Sequence, residues 1–271
     1  MMFCFRLFKF TQQMLVVKKV KRFHNLFKHS HEVFFMLWVA LIIGFVLVLL
    51  ERIIPDRTLP AIKGWWLRAI ALNLVQLGIV FASGIIWNKW FIGWSVFSIS
   101  FLPAILAGFI SYLASTFVFY WWHRFRHSSS FLWKVFHQVH HSPQRIETIT
   151  AFYKHPIEML VNSILVALIN YTLFGLTIDA AAWALLFMAC GEFFYHMNLK
   201  TPHWLGYIIQ RPEMHCIHHK REVHHYNYSD LPLWDILFGT YQNPKNFEGS
   251  CGFGSNKEEK LTKMLKFEYV D

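Results

Sequence analysis

The chain has 271 residues, of which 55% are hydrophobic, 18% aromatic and only 15% charged. Soluble domains carry about 25% charged residues, so this composition excludes an ordinary water-soluble globule; 28 Phe and 12 Trp point to lipid and its interfaces. A net charge of +10 without any nucleic-acid motif argues against a nucleic-acid partner, and four cysteines without a CxxC pair (Cys4, Cys190, Cys216, Cys251) exclude a disulfide framework and a thiolate zinc site.

Residues 1–30 form a basic arm: Arg6, Lys9, Lys18, Lys19, Lys21, Arg22 and Lys28 stand there without an acid. Such an arm suits anionic headgroups or a solvated tail. No signal peptide is expected, because the first apolar run is too interrupted. Residues 31–110 read as membrane-spanning segments. Val33–Leu50 is uncharged and long enough to cross a bilayer core; Glu51-Arg52 ends it, and Pro55 and Pro60 mark a connection. Ala69–Trp87 is a second uncharged run. Phe91–Trp122 is a third, too long for one crossing, so its helix either begins near Ser100 or continues past the membrane. Tyr120-Trp121-Trp122 marks an interface, and His123 follows at once.

Residues 111–242 read as the catalytic domain. Ser128–Ser130 breaks the chain, Phe131–His141 reads as a further helix, and Ser142-Pro143 ends it. Met159–Ile178 and Ala180–Tyr195 read as an excursion through the membrane and back, or as a buried hairpin. Pro202 and Pro212 bracket a short amphipathic stretch, and Leu231–Tyr241 is compact and apolar. Residues 243–271 read as a polar tail of loop and terminal helix. Three spans before His123 place the N-terminus opposite the histidines, whereas the basic arm favours the same, cytoplasmic side. Either one early segment is re-entrant or the arm is an exception.

Histidines dominate the second half. His123-x-x-x-His127, His137-x-x-His140-His141 and His215-x-x-His218-His219 place imidazoles three and four residues apart, the spacing that shares a helix face. His196 stands between the second and third clusters, and His224-His225 follows the third. Neutral imidazole is the commonest protein metal ligand, and this many exceed what one ion uses, so two metal ions are expected. His123 and His127 could each serve a different ion, and the outer histidines of an HxxHH cluster could bridge both centres. Glu192 lies four residues before His196 in an apolar run, where a carboxylate must be paired or metal-bound. It is a candidate ligand or orienting group, as are His155, His224, His225 and Asp235, with Asp230 weaker. His24, His29 and His31 read as solvated, His203 has no partner at helical spacing, and Cys216 reads as packing.

Imidazole suits zinc, copper, iron and nickel alike. Zinc would suggest hydrolysis by a metal-activated water, whereas a histidine-rich iron pair beside a membrane suggests oxygen activation on a lipid chain. The ligands begin where a membrane helix ends, which favours the second reading and leaves a dizinc membrane hydrolase as the alternative. A metal transporter is less favoured, because its histidines would be spread through several spans. No nucleophile elbow, P-loop or dinucleotide fingerprint supports another class.

Over about 111–242 the chain resembles the fatty acid hydroxylase/sterol desaturase superfamily of membrane oxygenases. Trp122-His123-Arg124 with His127 is similar to that family's first box, and His137-Gln138-Val139-His140-His141-Ser142 to its second. Ala151 with His155-Pro156-Ile157-Glu158 resembles its HP-x-E stretch, and His196-Met197-Asn198 its isolated histidine. Pro212 with His215, His218 and His219 resembles the third box. Asn227-Tyr228, Leu233-Trp234-Asp235 and Phe238-Gly239-Thr240-Tyr241 resemble the closing motif. Three features depart from the pattern: Tyr153 stands where many relatives have arginine, Glu192 where some offer a histidine, and His224-His225 in a more variable stretch.

The resemblance implies an all-α integral membrane bundle of about four to five membrane-embedded helices under a histidine-rich helical cap. It implies two metal ions, most often iron with zinc as the alternative, held by His123, His127, His137, His140, His141, His196, His215, His218 and His219. It further implies O2 as co-substrate, a lipid substrate from the bilayer, a metal site facing the cytoplasm, and an external electron donor. That donor would be a cytochrome, ferredoxin or reductase, since the chain carries no haem-attachment, flavin or ferredoxin motif. Hydroxylation, desaturation and oxidative demethylation all occur in the family; sterol, fatty acyl and carotenoid substrates remain equally open.

Overall fold

The computed structural model describes residues 33–270 apart from 92 and 255, so the basic arm at 1–30 lies outside the described residues. In chain order the helices begin with α1 (Val33–Ile53), α2 (Trp65–Phe91) and α3 (Ala104–Arg126). Short turns α4 (Ser130–Leu132) and α5 (Gln138–His141) flank a π-helical turn, Trp133–His137. Then come α6 (Pro156–Ala167), prolonged by a second π turn (Leu168–Leu173), and α7 (Ile178–His196). The short α8 (Pro212–His218), α9 (Pro232–Leu237) and α10 (Leu261–Met264) complete the set. Among the described residues the β-type pairing is an isolated bridge between Lys220 and Cys251.

Five helices are long and apolar enough to cross a membrane: α1, α2, α3, α6 with its π turn, and α7. The outer faces carry exposed Trp38, Phe45, Leu67 and Leu74, a surface suited to lipid tails. Helical structure satisfies every backbone group within the span, which lipid requires. Between helices, small and hydroxyl residues take over. A Cβ on Gly108 of α3 would stand 2.6 Å from Ala180 O and 2.9 Å from Ala184 N, so glycine permits the close approach to α7. Ser111 Oγ donates to Asn170 Oδ1 at 2.6 Å, and Ser83 and Trp87 of α2 meet Ser163 of α6 at 3.0 and 2.9 Å.

One end of the bundle is capped. α1 and α7 run the same way: Met36 packs with Ala182 and Leu186 at one end, and Glu51 Oε2 accepts the Asn198 N–H (3.0 Å) at the other. The same oxygen takes the Thr148 N–H and hydroxyl at 3.0 and 2.9 Å, tying α1 to the cap. At the uncapped end, Val96 and Phe97 donate backbone N–H groups to Thr172 O and Leu173 O, both at 2.8 Å. The first three segments are all full-length helices, so none is re-entrant, and the Val33 end of α1 lies opposite the cap. The third begins at Ala104, directly after Pro103, and its last turn carries His123 into the cap.

Two expectations need correction. Phe131–His141 is not one regular helix: the π turn closes with the Gln138 N–H reaching Trp133 O, which widens the turn between Trp133 and His137. The C-terminal stretch is not a free polar tail. Gly252 N–H donates to His219 O (3.1 Å), Phe253 N–H to Ser142 O (3.1 Å), and Gln138 Nε2 to Glu268 O (2.9 Å). Phe253, Met264 and Val270 are buried with Trp133, Val139 and Tyr153. The stretch closes over the second histidine cluster because it supplies the apolar cover that this cluster needs.

Candidate metal centre

Four structural units deliver the histidines to one place. The last turn of α3 and its C-cap bring His123 and His127, and the π turn with α5 brings His137, His140 and His141. The end of α7 brings His196, and α8 with its C-cap brings His215, His218 and His219. The membrane excursion between the second and third clusters leaves the cap in α6 and returns in α7, which is why His196 arrives among the others.

The rings form two groups. His123, His127, His137, His141 and His218 make one, and His140, His196, His215 and His219 the other; within each group the facing ligand atoms all lie within 4.8 Å of one another. The helix period explains the division. Residues four apart share a face, so His123/His127, His137/His141 and His215/His219 each stay together. The remaining histidine of each HxxHH cluster, His140 or His218, is about 100° away from its neighbour and enters the other group. This corrects two expectations: His123 and His127 do not divide between centres, and bridging falls to the middle histidine of each HxxHH cluster rather than the outer pair.

Hydrogen bonds fix how the rings are aimed. His123 Nδ1 donates to Tyr228 O and His218 Nδ1 to Tyr226 O, both at 2.8 Å; His196 Nδ1 donates to Glu192 O at 2.8 Å, and His140 Nδ1 faces Tyr153 O at 3.3 Å. With Nδ1 protonated, the lone pair sits on Nε2 and points inward, the arrangement usual for metal-bound histidine. The Nε2 atoms of His123, His127, His137, His141 and His218 are buried without a hydrogen-bond partner. Five such acceptors left empty in one place would be costly in a metal-free core; a cation satisfies them all. In the second group His215 Nε2 lies 3.1 Å from His196 Nε2 and 3.0 Å from His219 Nε2, so these nitrogens must share a proton or a cation. The two groups therefore fit a dinuclear metal site.

Electrostatics agree. Burial first, and then the repulsion a proton would meet from neighbouring histidines and, at His137, from Arg126, hold His127, His137, His140, His141, His215 and His219 well below the ordinary imidazole range. His218 is pushed down to about 3 for the same leading reason. The rings are thus neutral at physiological pH and available as ligands. Trp133 covers the first group, its ring 4.9 Å from His141 and 5.2 Å from His127.

The other candidates lie around the groups rather than in them. Glu192 Oε1 is 2.5 Å from Lys154 Nζ, and its Oε2 is 3.6 Å from His196 Nδ1. His155 caps α6, its Nδ1 accepting the Ile157 N–H (3.1 Å) while its ring lies against Phe267. The His224 ring stands 5.0 Å from both His141 and Trp133 at the rim, and His225 is exposed. Asp235 is buried and accepts the N–H groups of Tyr228 (2.8 Å) and Ser229 (3.1 Å), so it fixes the carbonyl that orients His123. Asp230 meets Tyr112 (3.4 Å) and fills the space left by Gly191. Tyr153 turns its ring to Trp65 (5.2 Å), and Cys216 packs with Ile146 and Cys251. Sequence reasoning missed Trp133, Gln210 (2.9 Å from His215 Nδ1) and the Tyr226 and Tyr228 carbonyls. Backbone acceptors carry no residue signature; Trp133, four residues before His137, did.

Fold and site together define a membrane helical bundle carrying a dinuclear histidine centre at one end. Residues 108–240 match the fatty acid hydroxylase family, and through them the chain belongs to the fatty acid hydroxylase/sterol desaturase superfamily. It is similar to a very-long-chain aldehyde decarbonylase of Oryza sativa subsp. indica, 28% identical over 130 residues that cover 45% of this chain and 49% of the relative. Sphinganine C4-monooxygenase 1 of Arabidopsis thaliana is 27% identical over 126 residues, covering 45% and 48%. Alkylglycerol monooxygenase of Homo sapiens is 31% identical over 140 residues, covering 49% of this chain and 30% of that protein. The chain thus spans about half the length, or less, of these relatives. No solved structure matches it.

Proposed function

We propose that the protein is an O2-dependent oxidoreductase that hydroxylates or desaturates a C–H bond of a membrane lipid at a di-iron site. The nine histidines of the two groups are its ligands. The observation that carries this reading is the position of both groups at the capped ends of α3 and α7, two helices long and apolar enough to cross a membrane, which sets the ligands next to the level a bilayer would occupy. When bound, iron supplies the O2-derived oxidising power that an unactivated C–H bond demands. The chain's own residues do the rest. The Nδ1 hydrogen bonds aim the rings, and Trp133 and the C-terminal stretch exclude water. Two relatives are named as monooxygenases of sphinganine and of alkylglycerol, which supports a lipid substrate.

Electrons come from a separate carrier, and the cap faces the cytoplasm. Charge bias in the short loops supports that orientation: 54–64 on the cap side holds Arg57 and Lys63, whereas 92–103 and 174–177 on the other hold no Lys or Arg. The basic arm is then the exception to the bias. The test is metal analysis of purified protein together with O2 uptake in membranes supplied with a reductant. Two irons per chain and lipid-dependent uptake are expected; His140→Ala should lower bound iron and abolish uptake without loss of membrane insertion. Two zincs, no O2 uptake and a hydrolysed lipid would replace this reading with the dizinc hydrolase.

A further inference from the structure

The histidines of the five-membered group are not all oriented by the same means. Backbone carbonyls take the Nδ1 protons of His123, His218 and His196, but His137 Nδ1 has no carbonyl partner. It faces Glu158 Oε1 at 3.3 Å and Arg126 Nη1 at 3.1 Å, and Arg126 Nη1 donates to the same carboxylate oxygen. All three side chains are buried. Two tautomers of His137 are conceivable. If Nδ1 accepted from Arg126, the proton would sit on Nε2, which is buried without an acceptor and faces the other nitrogens of the five-histidine group. If Nδ1 donates to Glu158, the lone pair lies on Nε2, where the group converges. The first tautomer suits Arg126, a donor at 3.1 Å; ligation of a metal through Nε2 demands the second, for which Glu158 Oε1 at 3.3 Å is the acceptor while Arg126 turns its N–H groups to the same carboxylate.

The sequence builds this contact deliberately. His155 caps α6, Pro156 occupies its first position, and Glu158 falls in its first turn, aimed at the end of α3 that carries Arg126. A carboxylate at that helix end is favoured by the dipole, and Arg126 neutralises it.

We infer that Glu158 is a positioning residue: with Arg126 it fixes the tautomer and aim of His137 and thereby tightens the five-histidine metal site. This rests on the metal-centre reading above. The pair Arg126–Glu158 also resembles a plain structural ion pair, and the two roles predict opposite rankings of two variants. Glu158→Gln keeps an oxygen acceptor for Nδ1 but strands the Arg126 charge. Arg126→Leu/Glu158→Leu removes both charges but leaves Nδ1 without an acceptor. For a positioning role the double variant holds metal worse, whereas for a structural role Glu158→Gln is the worse in every respect.

The experiment loads the full-length protein in detergent with cobalt(II) and follows release against increasing EDTA, with thermal unfolding measured in parallel. The expected result is two ions in the wild type, with one released from the double variant at about 10–100-fold lower chelator and the other unchanged. Glu158→Gln should fall between wild type and double variant in metal retention while unfolding at the lowest temperature. In a His196→Ala background, which disables the four-histidine group, the double substitution should shift the remaining ion by the same factor. Release from the double variant at wild-type chelator concentration overturns the inference, as does a parallel loss of metal and stability greatest in Glu158→Gln. A wild type that binds no pair of ions overturns instead the metal-centre reading on which it rests.

Discussion

Mild acid applied to the metal-free protein should dismantle the cap while sparing the spans. His127, His137, His140, His141, His215, His218 and His219 are all held below the usual imidazole value, chiefly by burial. In the unfolded cap each returns to about 6.5. Between that value and the depressed native one the unfolded state binds more protons than the folded state. The stability these neutral rings contribute is therefore intact above about pH 6.5 and lost as pH falls, down to about 3 for His218. At pH 5.5 each ring that cannot protonate in place costs about 1.4 kcal/mol, so the limit for these seven is about 10 kcal/mol, comparable to the whole stability of a domain. Bound metal opposes the loss, because it binds only the folded, neutral set. The assay is thermal unfolding between pH 5 and 8, read by tryptophan fluorescence and far-ultraviolet circular dichroism, with and without metal. The metal-free cap should lose stability steeply below pH 6.5 with a slope of several protons, while helical signal from the spans persists. A slope below one proton, or equal slopes with and without metal, would refute the argument.

Asp235→Ala should remove the acceptor for the Tyr228 and Ser229 N–H groups and the Thr240 hydroxyl, all buried. A loss of about 3–5 kcal/mol is expected, together with weaker metal binding through His123; calorimetry and metal titration read both. Gly108→Ala places a methyl against the α7 backbone and should cost about 1–3 kcal/mol while separating the helices that carry His123 and His196, visible as lower metal content in otherwise inserted protein. Glu51→Ala frees the Thr148 and Asn198 contacts and should uncouple α1 from the cap, so that protease cleaves near 54–64 or 146–150 at a rate that wild type does not show.

Much of the architecture was readable because lipid imposes simple rules. Uncharged runs of bilayer length became α1, α2 and α3, and Tyr120-Trp121-Trp122 marked the point where α3 passes into the cap. Residues 33–53 and 65–91 differ from the uncharged runs only at their ends; among the charges that enter there without breaking the helix are Glu51 and Arg68. Their charges are spent on the cap: Glu51 holds Thr148 and Asn198, and Arg68 pairs with Glu258 at 3.2 Å. Such long-range partners leave no local pattern. The same holds for the C-terminal stretch, whose composition is polar although Phe253, Met264 and Val270 are buried.

The sequence by itself determined that this is a membrane protein with a histidine centre, because hydrophobic length and helical spacing are local properties written residue by residue. The spacing also set His123 and His127, His137 and His141, and His215 and His219 on shared helix faces, while leaving open whether each pair serves one ion or two. Only the tertiary structure decided how those faces combine: His218 joins α3 and the π turn, while His140 joins α7 and α8. It alone revealed the carbonyls of Tyr226 and Tyr228 and the carboxylate of Glu158 as the groups that aim the rings. Those choices depend on the distance between elements far apart in the chain, and no spacing within one element can encode them.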